Sequence, residues 1–239
     1  MQRYLSPIFE EITLEQDILF ATLPGYDDAH TPTSLHLDVY APAGDQEKNR
    51  RAVILVHGGG FWLQNKQQNY IVILAKALAR YGYVCFSVDY RLFPCEQKQT
   101  PQVCQCVGRD IEEARKFIAQ NGERFGIDPH WIALGGGSAG GMGGIEACRL
   151  YPEYAAFICL WGAYPGAQAS PLYPPTLIIH GTADPGVPFQ QGEYFLASLH
   201  KHGIPARLFP LPGAGHTAID RLPDFEAPMI RFLNGEREA

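Results

Sequence analysis

The chain lacks any apolar run long enough to cross a membrane. Polar residues or glycine interrupt every such run well before the roughly 18 residues a spanning helix needs. The N-terminal stretch MQRYLSPIFEEITLEQ has one early arginine, several acids and no apolar core, so it does not read as a secretory leader. Together these absences predict a cytoplasmic protein with no membrane partner. A basic cluster is missing as well. The 19 Lys and Arg residues are outnumbered by 25 Asp and Glu, and the densest basic run is KNRR at 48–51. A solvated loop accounts for that run, and no nucleic-acid partner is expected. No linker, low-complexity run or internal repeat divides the 239 residues, which suit a single domain over 1–239 with a sizeable core.

The six cysteines do not have the paired spacing of a zinc site. Cys85 and Cys159 fall in apolar strand-like runs and Cys148 in a helical pattern, where buried reduced thiols are expected. Cys95, Cys104 and Cys106 crowd the segment FPCEQKQTPQVCQC, read as a loop running into a helix, and are expected to be reduced too.

Strand-like and helix-like segments alternate. ITLEQDILFATL and SLHLDVYAP read as two early strands, and RAVILVHGGG begins as a strand buried on both faces. YVCFSVDYRL, WIALGGG, AAFICLWGAYP, PTLIIHGTA and ARLFPLPGAGH continue the strand series. Between them lie helical segments: NYIVILAKALARYG, VGRDIEEARKFIAQNGERFG, GIEACRLYPE, FQQGEYFLASLHKHG and DFEAPMIRFLNG. In the second of these, Val107, Ile111, Ala114, Phe117 and Ile118 share one face. Such alternation predicts an α/β fold: a mostly parallel central sheet with helices on both faces. Ligands in such sheets bind beyond the carboxyl ends of the strands, so the loops there carry the chemistry.

One of those loops is IALGGGSAGGMGG, in which seven of thirteen residues are glycine. Two motifs fit it. Gly135, Gly137 and Gly140 match G-x-G-x-x-G, a dinucleotide cradle; Gly136, Ser138 and Gly140 match G-x-S-x-G, a nucleophile elbow. The cradle requires an acid at the end of the next strand, about twenty residues on, to bind a ribose. The next strand ends in Gly162, Ala163, Tyr164 and Pro165, without one. No Gly-Lys-Ser/Thr follows the glycines either, which excludes a P-loop. The elbow requires a base, an acid and a source of oxyanion donors elsewhere. His57-Gly58-Gly59-Gly60 follows the buried strand AVILV, where glycine lets backbone N–H groups approach a developing negative charge. Asp184 lies just past a strand end in LIIHGTADPGVP, although an Asp before Pro185 also suits a turn; Asp220 and Asp224 stand as alternative acids. Of eight histidines, only His216 lies in a strand-end loop after both the serine and the acid. The chain order Ser138, Asp184, His216 is the order of α/β-hydrolases. Asp89 is expected to be structural, paired with Arg91.

With HGGGFW at 57–62, DYRL at 89–92, GGSAGG at 136–141, HGTADPGVP at 180–188 and GAGH at 213–216, the chain resembles the HGGG-type esterase and lipase branch of the α/β-hydrolases. Two departures refine the likeness. Only 56 residues precede His57, where larger members carry a helical cap, and Gly137 stands before the serine where an Asp is common. In both respects it is similar to small feruloyl, acetyl-xylan and short-chain carboxylesterases without a cap domain. SAGGM and HGTADP also resemble polyester depolymerases. The resemblance implies attack by Ser138 with His216 as base and Asp184 orienting it, and oxyanion donors at Ala139 and at Gly58 or Gly59. The expected substrate is a small-molecule or acylated-carbohydrate ester. Phe61, Trp62, Trp161 and Tyr164 are expected to wall a short acyl pocket. No metal or organic cofactor is required, because the triad supplies base and nucleophile. A prolyl-oligopeptidase-type peptidase shares the GGSxGG pattern but usually carries a propeller domain. A hydrolase-fold binding protein that had lost catalysis would typically lack a triad member.

Overall fold

Runs of branched apolar residues such as AVILV and TLII form the inner strands, and eight strands pair into one sheet. The computed structural model describes residues 2–95 and 100–237. The strands are β1 (Ile12–Pro24), β2 (Pro32–Pro42), β3 (Arg50–Val56), β4 (Val84–Val88), β5 (Ile127–Gly137), β6 (Phe157–Leu160), β7 (Thr176–Gly181) and β8 (Ala206–Leu211). The helices are α1 (Asn69–Arg80), α2 (Pro101–Gln120), the short α3 (Gly122–Phe125), α4 (Ala139–Leu150), α5 (Phe189–Lys201) and α6 (Leu222–Leu233). A 3-10 turn over Ile219–Arg221 leads into α6.

The sheet order is β1-β2-β4-β3-β5-β6-β7-β8. β1 and β2 pair antiparallel, as do β2 and β4; every pair from β4–β3 to β7–β8 is parallel. The inner strands β4, β6 and β7 are buried throughout, and β3 over Ala52–Val56, because both faces are covered, as such sheets require. Val107, Ile111 and Ile118 of α2, Met142 and Ile145 of α4, and Phe195 and Leu199 of α5 pack on one face. Tyr70, Ile71, Leu74 and Leu78 of α1, with Phe225, Met229 and Phe232 of α6, pack on the other. This is the expected α/β architecture.

Two sequence expectations change. Helix α2 begins at Pro101, six residues before the expected start. Thr100 caps it, its hydroxyl accepting from Val103 N–H at 3.4 Å, and proline suits the first helical position. Cys104 and Cys106 therefore lie on a helix, while residues 96–99 of the same cysteine-bearing segment fall outside the described residues. Arg91 does not pair with Asp89. It forms a forked pair with Asp110 of α2, with Nη2–Oδ1 at 2.5 Å, and Asp89 accepts from Lys66 N–H at 2.8 Å. The carboxylate fully buried beside Arg91 is that of Asp110, and a buried charge must be paired. No helix among the described residues is long and apolar enough to cross a membrane.

Candidate active site

Strand β5 turns into α4 at Ser138, whose backbone sits at φ 54° and ψ −125°. A non-glycine residue pays strain there, and such strain persists only where the surroundings enforce it. They do so from both sides. Ser138 N–H donates to Leu160 O at 3.0 Å, and Met142 N–H donates to Ser138 O at 2.9 Å. The glycines two residues away make the turn possible. A Cβ at Gly136 would stand 2.6 Å from Gly140 O, and one at Gly140 would stand 2.3 Å from Val56 O. The elbow therefore packs against the end of β3, where the second glycine run begins.

The three expected catalytic side chains meet over this turn. His216 Nε2 lies 2.9 Å from Ser138 Oγ, and His216 Nδ1 lies 2.7 Å from Asp184 Oδ2. Asp184 comes from the loop after β7, and His216 from the loop after β8. Both loops leave the carboxyl edge of the sheet, as does the elbow, which is why residues so far apart in sequence converge. The Asp184 carboxylate is fully buried, accepts three hydrogen bonds and has the His180 imidazole 3.3 Å away. Gly186 N–H and Val187 N–H reach Oδ1 at 2.8 and 2.9 Å, and the imidazoles of His216 and His180 reach Oδ2. Burial alone would push this carboxyl up. The bonds from His216, Val187 and Gly186 outweigh it and hold the group below its ordinary value. The alternative acids Asp220 and Asp224 are exposed, and Asp224 is paired with Arg221 at 2.5 Å.

The glycine loop after β3 touches the elbow: a Cβ at Gly58 would lie 3.2 Å from Ser138 Cβ. Its peptide groups are held by side chains that no sequence motif marks. Gly58 N–H donates to Gln68 Oε1 at 2.7 Å, which removes it as an oxyanion donor. Gly58 C=O accepts from Tyr90 Oη–H at 3.0 Å and lies 2.8 Å from His57 Nδ1. The Gly58 carbonyl and the Gly59 N–H belong to one planar trans peptide and point in opposite directions. Fixing the carbonyl toward Tyr90 and His57 therefore aims the Gly59 N–H the other way. Gly59 itself has φ 102°, and a Cβ there would meet Leu63 O at 2.1 Å. No acceptor among the described residues takes the N–H of Gly59 or of Ala139. His57 is buried, stacked on Tyr90 at 4.2 Å, and burial lowers its pKa to about 4. It is a neutral structural group, not a second base.

The four expected pocket aromatics separate. Trp62 is exposed beside the glycine loop. Phe61 is fully buried in the core on the α2–α4 face, and its carbonyl accepts from Phe93 N–H at 2.9 Å. Trp161 is fully buried next to the elbow, edge-on to Tyr70 at 5.7 Å. Tyr164 is buried with its hydroxyl on Glu146 Oε1 at 2.6 Å. Core packing thus engages Phe61, Trp161 and Tyr164, and Trp62 alone of the four is exposed. Among the described residues no group of three or more His, Cys, Asp or Glu could hold a metal ion. Cys85, Cys104, Cys148 and Cys159 are buried, which pushes their thiols up, in Cys159 to about 12, so none is a ready thiolate nucleophile.

Comparison with known proteins bears on the family and the fold. A family model described as BD-FAE matches residues 37–144, spanning the glycine loop and the elbow. A prolyl oligopeptidase family model matches residues 160–235, which hold Asp184 and His216. These matches support an α/β-hydrolase esterase/lipase family. This α/β-hydrolase is 27% identical over 236 residues to Esterase LipC of Mycobacterium tuberculosis, an alignment covering 75% of this chain and 56% of that protein. It is 26% identical to a probable isoprenylcysteine alpha-carbonyl methylesterase of Oryza sativa subsp. japonica, covering 77% of this chain and 55% of that one. The chain thus spans little more than half the length of these curated relatives. Its backbone superimposes on an esterase of Pyrobaculum calidifontis with a TM-score of 0.71 at 22% identity, covering 95% of this chain and 87% of the other.

Proposed function

We propose that this α/β-hydrolase is a serine carboxylesterase acting on short-chain acyl esters, with Ser138 as nucleophile, His216 as general base and Asp184 as the acid that orients it. The observation that carries this reading is the unbroken chain Ser138 Oγ, His216 Nε2, His216 Nδ1, Asp184 Oδ2, with links of 2.9 and 2.7 Å. Ser138 Oγ attacks the ester carbonyl while its proton passes to His216 Nε2. The carbonyl oxygen gains the negative charge and takes hydrogen bonds from Ala139 N–H and Gly59 N–H, each worth about 3 kcal/mol in the transition state. Asp184 stabilises the imidazolium and is not itself protonated. The tetrahedral adduct collapses, the C–O bond to the alcohol breaks, and His216 returns its proton to the departing oxygen. Water then attacks the acyl-serine by the same route, releasing the acid and restoring Ser138.

The short-acyl preference follows from how little apolar surface surrounds the nucleophile. Each buried methylene contributes only about 0.8 kcal/mol, and only if it leaves water. Trp62 and Leu63 are exposed just past the oxyanion glycines, while Phe61 and Trp161 are already packed in the core. A p-nitrophenyl ester series tests this. The value of kcat/KM should peak between acetate and butyrate and fall by octanoate; a peak at decanoate or longer would contradict it. Sugars and phenols are the alcohol components to test next.

A serine peptidase is the second reading, because the prolyl oligopeptidase model matches the segment bearing Asp184 and His216. Hydrolysis of a chromogenic peptide amide at a rate comparable to the butyrate ester would favour it. The esterase reading expects the ester alone to be turned over appreciably.

A further inference from the structure

We propose that His180 is a positioning residue for the triad: its Nε2–H is a second imidazole donor on the Asp184 carboxylate, holding the acid in place and sharing its charge with His216. The proposal rests on the esterase reading above. His180 stands at the carboxyl end of β7, four residues before Asp184, and both side chains are fully buried. Its Nε2 lies 2.9 Å from Val187 O and 3.3 Å from Asp184 Oδ2. A carbonyl and a carboxylate can only accept, so Nε2 carries the proton. The opposite nitrogen, Nδ1, is buried with no hydrogen-bond partner, and a Cβ at Gly192 of α5 would lie 3.1 Å from it. Phe189, also on α5, meets the ring edge-on at 5.7 Å. A doubly protonated ring would place a charge and an orphaned donor in this apolar contact, so burial keeps His180 neutral.

The bonds form a closed circuit. Val187 N–H donates to Asp184 Oδ1 while Val187 C=O receives His180 Nε2–H, which also leans on Asp184 Oδ2. One ring thus fixes both the 184–187 loop and the carboxylate. The ionisable side chains that reach Asp184 among the described residues are His216, from the segment between β8 and α6, and His180, from β7; no lysine or arginine bridges to it. A donor on Oδ2 withdraws charge that would otherwise strengthen the bond to His216. Its removal leaves Oδ2 a stronger acceptor, stabilises the His216 imidazolium and moves the acid limb of the activity profile to higher pH. The freed loop also lets the acid drift, which lowers kcat more than it changes KM.

Two measurements test the proposal. The first uses the wild-type protein labelled with nitrogen-15 at histidine. His180 should appear as the neutral Nε2–H tautomer from pH 5 to 9, and its resonances should shift as His216 titrates. An Nδ1–H tautomer would overturn the proposal, because Nε2 could then donate to neither acceptor. This readout needs no turnover, so it stands apart from failure of the esterase reading, which would show as no ester hydrolysis by a well-folded wild type. The second compares His180→Leu, which removes the donor, with His180→Gln, whose amide can replace Nε2–H. The leucine variant should lose kcat by something on the order of ten- to a hundredfold, the range for a misplaced catalytic group, with KM nearly unchanged and the acid limb moved upward. The glutamine variant should recover most of the rate and the original limb. Folded variants whose limbs both match wild type would reduce His180 to core packing. If the leucine variant fails to fold, the tautomer result decides.

Discussion

Ser138 holds a backbone conformation that only its surroundings make tolerable, and the side chains next to it divide the labour of using it. Replacing His216 with alanine should cost nearly as much as removing the nucleophile, on the order of 10⁴-fold or more in kcat, because the triad acts as a unit. Asp184→Asn should cost somewhat less, since the base remains. Steady-state kinetics on p-nitrophenyl butyrate checks both, and near-normal turnover in Asp184→Asn would move the acid role elsewhere. Tyr90→Phe tests the oxyanion loop. It removes one of the two groups that hold the Gly58 carbonyl, 3.0 Å away, and so loosens the aim of the Gly59 N–H. A drop in kcat of roughly tenfold is expected, about 1.4 kcal/mol of transition-state stabilisation, with little change in KM. That Ser138, Asp184 and His216 would meet was legible in the sequence because each follows a strand and their order is informative. The contacts of Tyr90, Gln68 and His180 were not, because they are made to partners met only in space. The sequence did not show how the four aromatics divide for a related reason: Tyr164 follows a strand end just as Trp62 follows the glycine loop, yet its hydroxyl turns to Glu146 in the core.

At the scale of elements, the junction of β3, β5 and α4 decides whether there is a site at all. A methyl group at Gly140 would press on the carbonyl oxygens of Val56 and His57 at 2.3 and 2.4 Å, both of them backbone that cannot rotate away. Gly140→Ala should therefore destabilise the fold by about 1–3 kcal/mol, the usual cost of overpacking. For a chain of this size that lowers Tm by roughly 2–4 °C per kcal/mol, and activity should fall further than stability because the elbow shifts. Thermal unfolding and kinetics on the same preparation separate the two. The strands and most helices were readable from runs of Val, Ile and Leu and from their glycine stops. The start of α2 was missed although Thr100 and Pro101 signal it, because the polar residues Gln102 and Gln105 dilute the apolar period there. The Arg91–Asp110 pair links the loop after β4 to that helix. Proximity in sequence had suggested Asp89 as the partner instead, and burial selected the other carboxylate.

Over the whole molecule, buried neutral histidines make stability depend on pH. His57 titrates near 4 in the fold, against about 6.5 in an unfolded chain. Between those values the unfolded state binds the extra proton, so stability rises with pH across the window and is lost as pH falls through it. A shift of that size corresponds to about 3 kcal/mol. His180, also held neutral by burial, acts in the same direction. Asp184, depressed in the fold, adds stability above the ordinary carboxylate value that is lost at still lower pH. Asp89 and Asp110, raised by burial, work the opposite way, so the total is best read by difference. Urea unfolding from pH 7.5 to 4.5 should show the decline, and His57→Asn, which can keep a donor to Gly58 O without titrating, should flatten it. An unchanged slope in that variant would mean the ring is not buried as described.

Activation of Ser138 as a nucleophile by His216 is open to direct chemical labelling. The protein should be treated with a fluorophosphonate probe and the labelled peptide mapped by mass spectrometry. One adduct is expected, on Ser138, forming in step with the loss of esterase activity and absent from His216→Ala over the same interval. Full activity alongside an unlabelled Ser138, or an adduct on a different serine, would contradict it.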